Sequence, residues 1–149
     1  MKRLIEEYTH TGIGYNPFLI RNNWQVAQLN YIQVQGINDI QKIDVHFETD
    51  EVFILIDGKA MLIAAEKEGD QVSFEIILME QGVVYNIPKN VWHNIAMFED
   101  ARIIIVEKDN THLGDYDYYY LQEEQKEKLN QQIASVLKND GNIQDASNK

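Results

Sequence analysis

The sequence predicts an all-β protein, a small sandwich or barrel that is followed by a C-terminal α-helix. Short apolar or alternating segments recur at close spacing through the middle of the 149-residue chain, as in sandwiches and barrels. Turn-forming pairs such as DG, QG and ED separate these segments. Beyond them, apolar residues recur at helical spacing within a polar segment, which indicates an amphipathic helix.

Residues 1–23 precede the first of these segments. Gly12, Gly14 and Pro17 favour turns there, so we expect a loop-rich N-terminal extension. Next comes WQVAQLNYIQV, which alternates polar and apolar residues as a half-buried strand does. Seven further strands are expected, at residues 43–47, 52–56, 60–65, 72–78, 83–87, 92–97 and 102–107. Together they define a barrel domain at residues 24–108.

Two of the expected strands contain the runs VFILI and RIIIV, which are apolar on both faces. Such strands are typically buried on both sides, here inside the barrel and under a covering layer or a partner subunit. With Trp92 they present more apolar surface than a lone small barrel hides, so we expect a homodimer. Part of the C-terminal helix is the alternative cover.

Residues 109–139 are expected to form a connecting loop and then the helix. The loop, DNTHLGDYDYYY, is polar and aromatic. Its tyrosines, Tyr116 and 118–120, could pack a dimer contact, cover the barrel or lie on the surface. Gly141 is expected to end the helix, and residues 140–149 are expected to be disordered because they have little to bury.

The composition restricts the classes of partner. The chain has 13 basic and 24 acidic residues, and its net charge of −11 repels phosphate backbones and anionic lipids. We therefore expect no nucleic-acid partner and no membrane attachment. Cysteine is absent from the sequence, which excludes disulfides and thiol catalysis. No apolar segment follows the basic residues at its start, so the sequence predicts a cytoplasmic protein.

Four titratable residues fall within or beside the apolar strands. Asp44 and His46 share one face of a strand, Glu51 begins the next strand, and His93 shares a face with apolar neighbours. Ionised groups inside a barrel need compensation. A divalent cation such as Zn, Fe, Mn or Ni could supply it, since such ions accept mixed nitrogen and oxygen ligands. Hydrogen-bonded ion pairs between the histidines and the carboxylates are the alternative.

The stretch around His46 resembles the first cupin motif, G-x5-H-x-H-x3,4-E-x6-G. His46 stands at the second histidine, four residues precede Glu51, and six more separate Glu51 from Gly58. Asp44 replaces the first histidine, and Asn38 stands where the opening glycine would be.

The second cupin motif, G-x5-P-x-G-x2-H-x3-N, has its counterpart at Gly82, Pro88 and His93. Asn90 replaces the inner glycine, and Met97 replaces the final asparagine. The resemblance implies a cupin barrel, also called a double-stranded β-helix or jelly roll. In cupins the motif histidines and glutamate ligate a metal. The counterparts here are two histidines and two carboxylates, in chain order Asp44, His46, Glu51 and His93.

In a cupin the substrate pocket lies inside the barrel, above the metal. Strand parity makes Phe53, Tyr85 and Met97 candidate wall residues, with ordinary core packing as the alternative for each. Arg102, at the start of RIIIV, could bind an anionic substrate or pair with an acidic neighbour.

The resemblance therefore implies a metal-dependent enzyme that acts on a small polar molecule, such as a carboxylate or a sugar derivative. An ion could polarise a carbonyl or activate water or oxygen, with Glu51 or Asp44 as the expected base. Cupins include isomerases, lyases, dioxygenases and pure binding domains, so the fold does not choose among them. The alternative is a non-enzymatic module that binds a small ligand, with or without a metal. Because imidazole must be neutral to ligate, the reference pKa of histidine predicts that metal is lost between about pH 6 and 5.

Overall fold

The structure is a computed structural model that describes residues 2–147, with side chains through residue 141. It contains ten strands, and the all-β class with a C-terminal helix is confirmed. The strands are β1 Tyr15–Arg21, β2 Trp24–Asn30, β3 Lys42–Val45, β4 Glu51–Asp57, β5 Ala60–Glu68, β6 Gln71–Leu78, β7 Val84–Ile87, β8 Trp92–Met97, β9 Arg102–Glu107 and β10 Asp117–Tyr120. The helices are a 3-10 turn at Gln33–Gln35, α1 at Thr111–Gly114 and α2 at Glu123–Ser147.

The strands form two antiparallel five-stranded sheets with a core between them. One sheet has the order β1-β2-β9-β4-β7 and the other the order β10-β3-β8-β5-β6. Inward side chains of both sheets, such as Phe53, Leu55, Leu62 and Ile95, form one buried cluster. Burial alternates along β4 and β9, whose inward residues face this core, whereas β5 and β8 are buried along most of their length.

Helix α2 covers the outer face of the second sheet. Its residues Leu129 and Ile133 are fully buried against Ile43, Met61 and Ile63. Trp92 packs against this cluster as well. Trp92 stays partly exposed, so α2 supplies the alternative cover for the second sheet without burying Trp92 completely. No helix among the described residues is long and apolar enough to cross a membrane.

The outer face of the first sheet keeps apolar side chains that are only half-buried. Val26, Val106 and Val52 lie side by side across three strands, and Ile104 pairs with Ile54 in the next row. The expectation that VFILI and RIIIV are covered on both sides is therefore not met within one chain, because α2 lies on the other sheet.

Two short strands lie where loops were expected. In the N-terminal extension, β1 pairs with β2 despite Pro17, because β1 is an edge strand whose register shifts between Asn16 and Leu19. In the segment before the helix, α1 and β10 occupy part of the expected loop, and β10 pairs with β3. Both strands lie at sheet edges, where short, polar or proline-containing strands are common.

Helix α2 also continues past its predicted end. Gly141 lies inside the helix, whose backbone extends to Ser147. An interior glycine costs about 1 kcal/mol relative to alanine, which does not by itself end a helix. The expected disorder of residues 140–149 stays a prediction, since residues 148 and 149, and the side chains from residue 142 onward, lie outside the described residues.

Candidate metal centre and its cavity

Three turn residues at motif positions have a left-handed backbone conformation. Gly58 and Gly82 have positive φ angles, and so does Asn90, at the position where the family's motif has a glycine. A Cβ at Gly58 would clash with the backbone of Asp100 and Ala101, so only glycine fits there. Asparagine tolerates the left-handed conformation better than most residues, which explains why Asn90 can replace a glycine.

The structure brings the four predicted residues together. Asp44 on β3 lies directly opposite His93 on β8, while His46 follows β3 and Glu51 begins β4. Glu51 is at the centre: its Oε2 lies 2.9 Å from His46 Nε2 and 2.8 Å from His93 Nε2. Asp44 Oδ2 lies 3.7 Å from each of the same two nitrogens. Their role as metal ligands stays a prediction.

Backbone carbonyls fix the orientation of both imidazoles. His46 Nδ1 donates to the carbonyl of Asp115 at 2.6 Å, and His93 Nδ1 donates to the carbonyl of Val91 at 2.9 Å. A neutral imidazole held in this way presents the lone pair of its Nε2 to the site. Two such lone pairs and the Glu51 carboxylate repel one another unless a metal ion or protons lie among them.

The donor set fits a divalent ion. Potential ligand atoms of Asp44, His46 and His93 all lie within 4.8 Å of one another, and those of His46, Glu51 and Glu107 do likewise. Imidazole nitrogens with carboxylate oxygens suit Zn, Fe, Mn or Ni. Carbonyls that accept a hydrogen bond from the second ring nitrogen are also typical of metal-bound histidines. The residues present therefore fit the metal that the motifs imply.

Without a cation, protons must compensate the carboxylates. Burial disfavours charge on both histidines, but the hydrogen bonds and negative charge of Glu51 outweigh it and raise the pKa of His46 and His93 to about 9. Burial also opposes the charge of Glu51, yet the two histidines lower its pKa. Burial raises the pKa of Asp44. The metal-free cluster is therefore a set of ion pairs in which both imidazoles are protonated at neutral pH.

Glu107, at the end of β9, is a fifth titratable group that the predicted ligand set omitted. Its Oε1 accepts hydrogen bonds from the hydroxyl of Tyr15 at 2.7 Å and from Gln25 Nε2 at 3.2 Å. Its Oε2 is buried without a hydrogen-bond partner among the described residues and lies 3.9 Å from His46 Nε2. Burial and the charge of Glu51 raise the pKa of Glu107 to about 7.

A cavity of about 570 Å³ opens from this cluster. Phe53, Ile95 and Ile105 line its inner wall, and Phe53 packs edge-on against His93 at 6.0 Å between ring centroids. At the mouth, the cavity is lined by Lys42 and the row of Tyr116, Tyr118 and Tyr120. A volume of this size accommodates a small molecule.

Of the four predicted substrate-binding residues, only Phe53 lines this cavity. Tyr85 lies outside it, and its hydroxyl accepts a hydrogen bond from the backbone N–H of Glu80. Met97 is 1% exposed and belongs to the core, while Arg102 is exposed at the end of β9 opposite to Glu107. Strand parity gives the face on which Tyr85 and Met97 lie but not their depth along the barrel, whereas Arg102 has the parity of the outward residues of β9. These three residues therefore do not line the cavity.

Asp115 ties the segment before β10 to the cluster. Besides the carbonyl contact to His46, its carboxylate accepts hydrogen bonds from the backbone N–H groups of Phe47 and Glu48 at 2.9 and 3.0 Å. The residue therefore holds the loop that carries His46 and orients its ring. No sequence motif pointed to it, because a contact across 69 residues has no local signal.

We expect Asp115→Ala to destabilise the protein by about 1–3 kcal/mol, since two backbone donors lose a charged acceptor. It should also weaken metal binding by about tenfold or more, because the segment whose Asp115 carbonyl orients His46 loses its side-chain link to the loop that carries His46. Asp115→Asn keeps one acceptor oxygen, so it should lose less stability and less metal affinity than Asp115→Ala. Urea unfolding and metal titration of the two variants measure these effects, and equal behaviour of wild type and Asp115→Ala would contradict the assigned role.

Comparison with solved structures supports a β-barrel fold. No protein-family model and no curated protein sequence matches the chain. Among solved structures, the chain is similar to Pac13, a nucleoside dehydratase, with 11% identity, a TM-score of 0.53, and coverage of 80% of this chain and 88% of Pac13. A structure of a variant of Streptomyces Pac13 with uridine matches with 10% identity and a TM-score of 0.51, and the match covers 80% of this chain and 97% of that chain. A cupin-2 domain protein from Shewanella frigidimarina has 25% identity over 68% of this chain and 84% of its own, with a TM-score of 0.47.

The two Pac13 matches and the pair of five-stranded sheets show that the chain has a β-barrel fold of the same kind as Pac13. Within that fold, the candidate metal ligands Asp44, His46 and His93 lie on or directly after strands β3 and β8.

Proposed function

We propose that the protein is a metal-dependent cupin enzyme that acts on a small polar molecule, either a carboxylate or a sugar derivative. One observation carries the proposal: two imidazoles, each oriented by a backbone carbonyl, direct Nε2 at the same carboxylate oxygen of Glu51. Asp44, His46, Glu51 and His93 would hold the ion. When bound, a divalent ion would supply a Lewis acid for a carbonyl or hydroxyl oxygen of the substrate.

The residues around the cluster have separable roles. Phe53 and Ile95 make the cavity wall apolar, which excludes water from the reacting group. Glu51 is engaged by both histidines, so it is not free to act as a base. Glu107 is the better proton acceptor, since Tyr15 and Gln25 hold one of its oxygens while the other has no partner among the described residues.

A screen of small carboxylates and sugar derivatives with the metal-loaded protein tests this proposal. We expect turnover that chelation abolishes and metal addition restores. Glu107→Gln should retain the metal and lower turnover by about a hundredfold or more, the usual contribution of a general base. Glu48→Gln, a charge-matched change at an exposed site, should keep activity. Full activity in Glu107→Gln would remove Glu107 from the mechanism, and turnover unaffected by chelation would contradict the metal-dependent function.

The second candidate is a module that binds a small ligand without catalysis. It is favoured by the replacement of a motif histidine by Asp44 and by the short hydrogen bonds from both histidines to Glu51, which balance charge without an ion. A chelator separates the two candidates. It would abolish turnover by the enzyme, whereas the module would bind its ligand equally well in the presence of the chelator.

We also propose that two chains associate through the outer face of the first sheet. Val52, Ile54, Ile104 and Val106 form an apolar surface there that the chain itself leaves half-exposed. Ile104→Glu should convert a dimer to a monomer because it places a charge within the contact. Light scattering at tens of micromolar measures this, and a monomer mass of 17.4 kDa for wild type would contradict the proposal. The cytoplasmic location stays a prediction.

A further inference from the structure

The mouth of the cavity has its own set of side chains, distinct from the metal cluster. On β3, Lys42 and Asp44 lie on one face, with Lys42 two residues farther from His46. On β10, Tyr120 lies directly opposite Lys42, and Tyr118 lies opposite Asp44. The pairing of the two strands therefore sets a cation and a row of tyrosines beside the predicted ligands.

Lys42 is the one lysine or arginine among the described residues that line the cavity. Its Nζ lies 3.6 Å from the centroid of the Tyr118 ring and 6.0 Å from that of Tyr120. It makes no ion pair within 4 Å of a carboxylate in the described part of the chain, whereas three carboxylates line the cavity deeper inside. An ammonium group held over aromatic rings keeps its charge available for an incoming anion.

The tyrosine row, Tyr116, Tyr118 and Tyr120, provides a surface for a ring. Tyr116 and Tyr118 stack with their centroids 4.9 Å apart, and Tyr118 meets Tyr120 edge-on at 6.5 Å. All three side chains are 40–66% exposed and line the cavity. The side chain of Tyr119 lies on the other face of β10, and its hydroxyl donates a hydrogen bond to Gln125 Oε1. The alternation along β10 thus separates three solvent-facing rings from one that supports α2.

We propose that Lys42 and the tyrosine row bind the anionic end of the substrate, a ring-shaped molecule with a carboxylate or phosphate group. The backbones of Lys42 and Asp44 are about 7 Å apart along β3, so an anion on Lys42 and a group held beside Asp44 lie within reach of one small molecule. The two ends of such a molecule would contact the cluster and Lys42 at the same time. This inference rests on the proposed function, because it assigns the outer half of the same site.

Matched pairs of compounds test it. We would measure dissociation constants for D-glucuronate against D-glucose, and for uridine 5′-monophosphate against uridine, by calorimetry or ligand-observed NMR. In at least one pair, the anionic member should bind wild type about tenfold more tightly than its neutral partner, and the pair that responds distinguishes carboxylate from phosphate. Tyr118→Ala should weaken both members of that pair, since it removes packing surface together with the support for Lys42.

Lys67 supplies the matched control. It also lies over an aromatic ring, 4.7 Å from that of Tyr119, but does not line this cavity. Lys42→Met should abolish the preference for the anion, and Lys67→Met should retain it. The inference is overturned if neither pair shows a preference in wild type, or if Lys42→Met keeps it.

Metal titration of each protein separates this inference from the proposed function. If wild type binds no metal, the result counts against the proposed function. If wild type binds metal but shows no preference for the anion, the result counts against this inference alone.

Discussion

Glu51→Gln is expected to lower affinity for a divalent ion at least about a hundredfold. The carboxylate of Glu51 contributes a negative charge and lies within 2.9 Å of both imidazoles, so its removal leaves the centre without its shared acceptor. Such a change in affinity corresponds to about 3 kcal/mol of binding free energy, at about 1.4 kcal/mol for each tenfold. Calorimetric titration with Zn, Mn, Ni and anaerobic Fe measures the effect on wild type and variant.

Glu48→Gln is the matched control for this change. Glu48 is exposed and only loosely paired with Lys108 at 3.5 Å, so its neutralisation alters the net charge equally without touching the cluster. We expect its metal affinity to equal that of wild type within about threefold, since exposed pairs contribute little. Similar losses in both variants would show that the acidic surface, not the Glu51 centre, attracts the ion.

The second large effect concerns pH: as the pH rises, the metal-free protein should lose stability while the affinity for metal increases. The folded-state pKa values of His46 and His93 are raised to about 9 from the ordinary value of 6.5. Their stabilising contribution is therefore complete below pH 6.5 and is lost as the pH rises through about 9. Glu107 acts in the same direction, because its raised pKa of about 7 penalises the folded state as it ionises.

Metal binding should show the reverse dependence. An ion must displace the protons of both histidines, so affinity should fall by up to about a hundredfold for each pH unit below 9. Metal is thus expected to dissociate at a higher pH than the window between about 6 and 5 that the reference pKa gave. Melting curves from pH 5.5 to 9, with chelator and with the tightest-binding ion, test this. A thermal shift that does not change with pH would contradict it.

Local patterns in the sequence predict the fold well, because alternation and turn residues are local properties of each strand. They fail at β1 and β10, whose pairing depends on partners elsewhere in the sheets. The four cluster residues could be found because the two motifs fix their spacing on neighbouring strands. Asp115 could not, since its contacts to His46 and Phe47 form only after the chain has folded.

The residues that line the cavity were likewise only partly predictable from the sequence. Phe53 was predicted on its correct face and lies in the cavity, yet Met97 shares a face with His93 and is nevertheless buried in the core beyond it. The tyrosine row was noticed as a cluster of residues, but its place at the mouth depends on the register of β10 against β3. Depth along a barrel and long-range register are tertiary properties that periodicity alone does not specify.

The central claim is that Asp44, His46, Glu51 and His93 hold one divalent ion. The most direct measurement is elemental analysis of wild type purified without chelator or affinity tag, beside a His46→Ala, His93→Ala double variant purified in the same way. We predict close to one equivalent of a transition metal per chain in wild type and almost none in the variant. Equal metal content in the two proteins, or none in wild type with no binding on titration, would contradict the claim.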